Sequence, residues 1–322
     1  MKFTVTGLDE TGSVDSAGDV VNARGGTEMM KEGLLERLDP ELSEKFNIIC
    51  SRVRDLDPDK KNILWLHDTF SDPEAEHLKD PNSRKRFGKL VFVSDYQWNT
   101  YRLAHGIMPS ESIVLKNAIV PIEMTEEKDQ SGPIRLIYHT TPHRGLEILV
   151  PVYEHLYQKW GDKIHLDVFS SFNIYGWPHR DEPYKEIFQK CKDHEGITYH
   201  GTVSNEVVRE YLKSAHIFAY PSIWEETSCI ALMEAMSAAT CCICPNLGAL
   251  SETASNFAVM YSFNEDPNVH ANAFANTLNN VIEKYWHEEH QAKLKFQKMY
   301  ADNFYSWDQR TIEWTNLLRS LQ

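Results

Sequence analysis

Residues 220–252 read YPSIWEETSCIALMEAMSAATCCICPNLGALSE, and the order of their parts decides the fold. The apolar run His216-Ile217-Phe218-Ala219-Tyr220 predicts a strand that stops at Pro221-Ser222. A short acidic loop with Glu225, Glu226, Thr227 and Ser228 follows, and residues 230–239, rich in alanine and methionine, predict a buried helix. A second apolar strand over 240–244 stops at Pro245, and a glycine turn leads to Glu252. Strand, polar loop, helix and strand make a βαβ unit, whose ligands sit outside the carboxyl ends of the strands. There the loop offers polar side chains beside the backbone N–H groups of a helix start, a ready anion site. Glu234 lies eight residues after Glu226 in an otherwise apolar helix, where a carboxylate is rarely buried without a partner. Taken alone, such a pair also reads as a helix-start acid plus a surface glutamate.

The same alternation extends both ways. On the amino-terminal side, strands are predicted over 2–6, 46–50, 62–66, 89–94 and 112–116, with a helix over 95–105. A long glycine- and aspartate-rich loop ends at Gly25-Gly26, directly before a helical pattern, where backbone N–H groups can approach a phosphate. A plain turn is the other reading of these glycines. His67 follows the 62–66 strand and points into the ligand crevice of an open α/β sheet, or caps a turn. The acidic run EMTEEKDQSGP, 123–133, reads as a linker. Beyond it come strands over 134–138, 164–169, 197–200 and 257–261 and helices over 146–160, 184–194 and 267–285, besides the unit first quoted. Pro151 falls inside the first of these helices and predicts a kink. Residues 1–125 are thus expected to form an amino-terminal Rossmann-like domain and 126–295 a second one. A helical tail over 296–322 is expected to pack back on the first.

With 42% hydrophobic and 25% charged residues, the 322-residue chain has the balance of an ordinary globular protein. A formal charge of −14 argues against nucleic acid or an anionic membrane as the main partner. No run of about 18 apolar residues suggests an integral membrane segment. The six scattered cysteines suggest reduced thiols, and a cytoplasmic location is expected. Cys241 and Cys244 lie three apart in a predicted strand and so face opposite ways, which suits buried hydrophobes better than a metal or redox pair. His287 and His290 sit in a charged helical run that reads as a solvated face. No metal site is expected.

Taken together, Pro221-Ser222, Glu226, Glu234-Ala235-Met236 and the turn from Gly248 to Glu252 give the chain a resemblance to the family-4 retaining glycosyltransferases. Gly25-Gly26, His67, Asn117, Gly201 and Trp307 extend it over most of the sequence. The resemblance implies a GT-B fold, two facing Rossmann-like domains with parallel sheets and a cleft between them. It implies a nucleotide diphosphate sugar as donor, a hydroxyl acceptor and no required metal or cofactor. Carried over by position, Glu226 faces the transferred sugar, His67 lies near its anomeric carbon and Glu234 accepts hydrogen bonds from the donor ribose. Arg144-Gly145 stands where the family has Lys-Gly, so the guanidinium would clamp the diphosphate. Gly25 and Gly26 would close over the phosphates, and Thr227, Ser228 and Cys229 would line them.

This chain departs from the family at Ser228-Cys229, in place of Phe-Gly, and at Cys241, in place of proline. Tyr138-His139-Thr140 stands where an arginine is usual. Ala239 replaces the helix-ending glycine and predicts a differently built helix end. An epimerase on the same fold and a non-catalytic sugar- or partner-binding module are the two other readings.

Overall fold

In the computed structural model, residues 25–322 are described. The strand expected over 2–6 lies outside them. Among the described residues, four parallel strands form the first sheet in the order β1-β2-β3-β4: β1 (Phe46–Cys50), β2 (Lys61–Leu66), β3 (Lys89–Phe92) and β4 (Ser112–Val114). The second sheet has six parallel strands: β5 (Ile134–Tyr138), β6 (Ile164–Val168), β7 (Ile197–Tyr199), β8 (Ile217–Ala219), β9 (Cys241–Pro245) and β10 (Val259–Tyr261). Their spatial order is β10-β9-β8-β5-β6-β7. Numbered from β5 onward, that is the doubly wound order 3-2-1-4-5-6, read from the other edge. Its direction of winding reverses between β5 and β8, which pair Leu136 with Ile217 and Ile137 with Phe218. The central strands are buried on both faces, which is why β8 and β9 read as continuous apolar runs. Cys241, Cys242 and Cys244 are all buried free thiols there, and burial pushes Cys241 and Cys244 up to about 12.

Local chemistry explains several boundaries. Residues 72–88, polar and poorly periodic in sequence, hold a 3-10 helix, Pro73–Lys79, and a short α-helix, Pro81–Arg84. Each starts at an Asp-Pro pair, where the carboxylate of Asp72 or Asp80 accepts from a backbone N–H of the first turn. The 146–160 segment is one helix, Leu146–Trp160, with Pro151 inside it and much of one face buried. Helix Ile230–Ser237 ends in a Schellman motif: Thr240 N–H donates to the Ala235 carbonyl and Ala239 N–H to that of Met236. Ala239 takes the left-handed conformation usually left to glycine, at φ 51°. The expectation of a differently built helix end is therefore corrected. The buried pairing of β9 beyond it fixes the path of the chain, and alanine accepts the strain.

The chain passes between the two units twice. Ala118 packs in the amino-terminal core and Ile119 in the carboxyl-terminal one. The second crossing falls at Tyr305-Ser306. Helix Glu288–Phe304 stays with the second unit, where Gln297 donates to the carbonyls of Met236 and Thr240. Helix Trp307–Ser320 buries Trp307, Trp314 and Leu318 against Met30, Leu34 and Trp65 of the first. The two crossings lie side by side: Ile119 N–H donates to the Tyr305 carbonyl at 2.8 Å and Trp307 N–H to that of Ile119 at 3.3 Å.

Candidate functional site

The reversal between β5 and β8 positions the site. The chain leaving β5 runs through Thr140 and Thr141 to Arg144 and Gly145, and the chain leaving β8 runs through Tyr220 to Glu226. Both loops emerge at the carboxyl edge, where an open sheet of this order leaves a crevice. Gly145 allows the two loops to touch: its φ is 132°, and a Cβ there would stand 2.3 Å from the Pro221 carbonyl oxygen. Gly248 does the same under Glu226, whose backbone nitrogen would lie 2.8 Å from an added Cβ. Ala249 N–H then donates to the Glu226 carbonyl at 2.8 Å.

Within this frame Arg144 Nη1 forms an ion pair with Glu226 Oε1. Tyr220 Oη donates to the same oxygen at 2.5 Å. The Glu226 side chain is 5% exposed, so the ion pair sits largely out of water, where removing one partner costs far more than the pair is worth. Burial, the largest single influence, opposes the charge on Arg144, but Glu226 together with Tyr175, Tyr220 and Cys229 outweighs it and holds the guanidinium above its ordinary value. Arg144 Nε is buried with no hydrogen-bond partner, and the guanidinium lies 5.8 Å over the ring of Trp224. Burial, then the Glu226 charge, pushes the Tyr220 phenol up, so it stays a donor.

The amino-terminal unit closes on this wall. Thr227 Oγ1 donates to the His67 carbonyl at 2.6 Å. Both ring nitrogens of His67 are sealed from solvent with no hydrogen-bond partner, and the ring lies 4.7 Å from that of Trp65. Burial lowers His67 to about 4, which keeps it neutral. Gly25 packs on the Tyr175 ring, 2.6 Å from where its Cβ would be, and Gly26 on Ile230 at the start of the Ile230–Ser237 helix. The Glu252 carboxylate accepts from the N–H groups of Asp95 and Tyr96 at 2.9 Å each and pairs with Lys116. This pins the Asp95–His105 helix start to the glycine turn of the second unit.

The structure thus joins Arg144, Gly145 and Glu226 directly and brings His67 to them through Thr227. Ser228 is half-buried beside Thr227, and Cys229 is buried at the N-cap of the helix, its thiol pushed up by burial and by Glu226. Glu234 is not joined to the Arg144–Glu226 pair. Its Oε1 accepts from Asn205 Nδ2 at 3.0 Å and Arg209 Nη1 at 2.9 Å, which supplies the partner that its burial demands. Sequence reading missed Tyr220, Trp224 and Tyr175, whose only signal is aromatic residues flanking the polar loops. Arg209 carries no signal at all. Among the described residues no three His, Cys, Asp or Glu side chains gather as a metal site, and no helix is long and apolar enough to cross a membrane.

Solved structures share this architecture. A glycosyltransferase from Rickettsia africae ESF-5 superposes with a TM-score of 0.69 at 15% identity, over 93% of this chain and 83% of that one. Anabaena Alr3699/HepE in complex with UDP-glucose gives 0.64 at 13% identity, over 81% and 72%. Sucrose-phosphate synthase from Thermosynechococcus elongatus gives 0.61 at 15%, over 81% and 68%. At these identities the likeness is one of fold, and the fold is the GT-B arrangement of two parallel-sheet α/β domains. No curated protein sequence matches the chain. The model of the glycosyl transferases group 1 family matches residues 128–298, more than half of the sequence and the whole of the wall that carries Arg144, Glu226 and Glu234. The chain belongs to the glycosyl transferases group 1 family.

Proposed function

We propose that the protein transfers a sugar from a nucleotide diphosphate sugar to a hydroxyl acceptor with retention of anomeric configuration, without a required metal. The observation that carries this reading is the buried Arg144–Glu226 pair at the β5/β8 switch point, on the loop that Thr227 ties to the His67 carbonyl. When the donor binds, its diphosphate competes with Glu226 for Arg144. The guanidinium then stabilises the negative charge that develops on the leaving phosphate. Glu226, freed from the guanidinium, accepts from the sugar hydroxyls and orients the ring. Neutral His67 lies on the opposite wall, where the anomeric carbon becomes positive. The acceptor oxygen forms its bond to that carbon on the face from which the diphosphate departs. The bonding pair leaves with the phosphate oxygen, which takes the acceptor proton. Positioning and fixed charges supply the rate enhancement.

Glu234 reads as a ribose contact through the oxygen not taken up by Asn205 and Arg209. The Anabaena neighbour holds UDP-glucose, so uridine diphosphate is the first donor half to try.

Calorimetric titration with the nucleoside diphosphates of the common bases tests the donor. Micromolar binding of at least one is expected, and binding of none refutes the reading. Product NMR from an α-linked donor tests retention: an α product is expected, and a β product excludes it. Turnover that persists in excess EDTA is expected, and its loss excludes the metal-free route.

A further inference from the structure

Arg180 lies in the 3-10 helix Pro178–Tyr184 that follows β6, at the same carboxyl edge of the sheet as Arg144. Its guanidinium sits 5.2 Å over the ring of Phe172 and 5.4 Å over that of Trp177. Phe172 stacks on His143 at 5.0 Å and 17°, and His143 meets the edge of Trp224 at 4.8 Å. Since the Arg144 guanidinium lies over Trp224, the two arginines stand at the two ends of a chain of three rings, Phe172, His143 and Trp224.

They differ in how their charges are met. Arg144 is paired with Glu226. Arg180 makes no ion pair or side-chain hydrogen bond among the described residues. Its neighbour Asp181 is turned inward, accepting from Ser171 Oγ at 2.5 Å and Phe172 N–H at 2.7 Å. A cation over a ring face is held in place while its N–H donors stay free, so the seat presents a fork for a bidentate anion.

The charge balance of the site asks for such a group. Arg144 and Glu226 cancel. His139 and His143 are lowered to about 3, by burial in both and, in His143, also by Arg144 and Arg180, so neither adds charge at neutral pH. A diphosphate diester brings about two negative charges, and a site whose arginine is already balanced by Glu226 leaves them unmet in a partly desolvated cleft.

We propose that Arg180 is a second guanidinium for the donor diphosphate, delivered from the loop after β6 and oriented by Phe172 and Trp177. The inference rests on the donor reading above. It makes Arg180 a binding residue for the phosphates, with no contact to the nucleoside or the acceptor.

The test compares the wild-type protein with Arg180→Ala and Arg180→Lys. Each is titrated with the best-bound nucleoside diphosphate and with its nucleoside, and unfolding midpoints are recorded in parallel. The expected result is a ten-fold or greater loss of diphosphate affinity in Arg180→Ala, with partial recovery in Arg180→Lys. Nucleoside affinity, acceptor KM and unfolding midpoint stay at wild-type values. Diphosphate affinity unchanged in Arg180→Ala overturns the inference while leaving the donor reading intact. An equal loss of nucleoside affinity, or a change confined to acceptor KM, also overturns it. A wild-type protein that binds no nucleoside diphosphate overturns the donor reading, and this inference with it.

Discussion

Thr227 Oγ1 donates to the His67 carbonyl at 2.6 Å, so the loop that carries Glu226 is hydrogen-bonded to the end of a strand in the other unit. Tyr96 Oη reinforces it by donating to Glu225 at 2.7 Å. A net contribution of about 1 kcal/mol for such a bond changes a two-state equilibrium about five-fold. Thr227→Val removes the hydroxyl at nearly constant volume and is expected to shift the units toward a more open arrangement. Small-angle scattering of the free protein reads this as a larger radius of gyration; a profile superposable on the wild type contradicts it.

Gly145 is predicted to be irreplaceable even by alanine. Its φ of 132° disfavours any side chain, and the Pro221 carbonyl oxygen would stand 2.3 Å from the new Cβ, on a buried backbone that cannot retreat. Gly145→Ala is expected to cost at least about 3 kcal/mol and to separate Arg144 from Glu226. Urea denaturation followed by fluorescence measures the first effect, and a loss below 1 kcal/mol would count against the reading.

Ala239→Gly should act in the opposite direction. Alanine in the left-handed region costs roughly 1–2 kcal/mol, whereas glycine adds about 0.4–1 kcal/mol of entropy to the unfolded chain. The difference favours glycine, so a gain of about 0.5–1 kcal/mol is expected at Ala239, where φ is 51°. Differential scanning calorimetry would show a higher midpoint, and an unchanged or lower one would contradict this.

Acid should destabilise the fold as its buried histidines are forced to take up protons. His67 and His216 are lowered to about 4, and His139 and His143 to about 3, with burial the largest cause in each. Between their ordinary value of 6.5 and these values the unfolded chain takes up protons that the folded chain refuses, so stability is full above 6.5 and falls as pH drops. For His67 alone the loss is about 3 kcal/mol by pH 4. The pH dependence of stability between 7 and 4 in His67→Leu should be shallower than in the wild type by this amount; parallel curves would refute it.

The succession of strands and helices was legible wherever burial is symmetric. Strands β8 and β9 are covered on both faces, so their composition is uniformly apolar and needs no partner to be recognised. Short helices were legible in principle through Asp-Pro at 39–40, 72–73 and 80–81, each of which starts one, but periodicity over so few residues is too weak to show them. Among the site residues, Glu226 and Arg144 announce themselves by type and by their place after strands. Tyr220 does not, because a tyrosine that ends a strand reads as core until its hydroxyl is seen on a carboxylate.

Sequence by itself determined that this chain builds alternating α/β units, that the polar loops after the strands carry Arg144 and Glu226, and that Gly145 and Gly248 sit at turns. These follow from local periodicity and backbone freedom, which a chain cannot hide. The tertiary structure alone decided that Arg144 and Glu226 cancel one another, that Asn205 and Arg209 hold Glu234, and that Arg180 is left unpaired over Phe172 and Trp177. Charge pairing depends on distances between side chains 25 to 82 residues apart in the chain, and no local pattern encodes those distances.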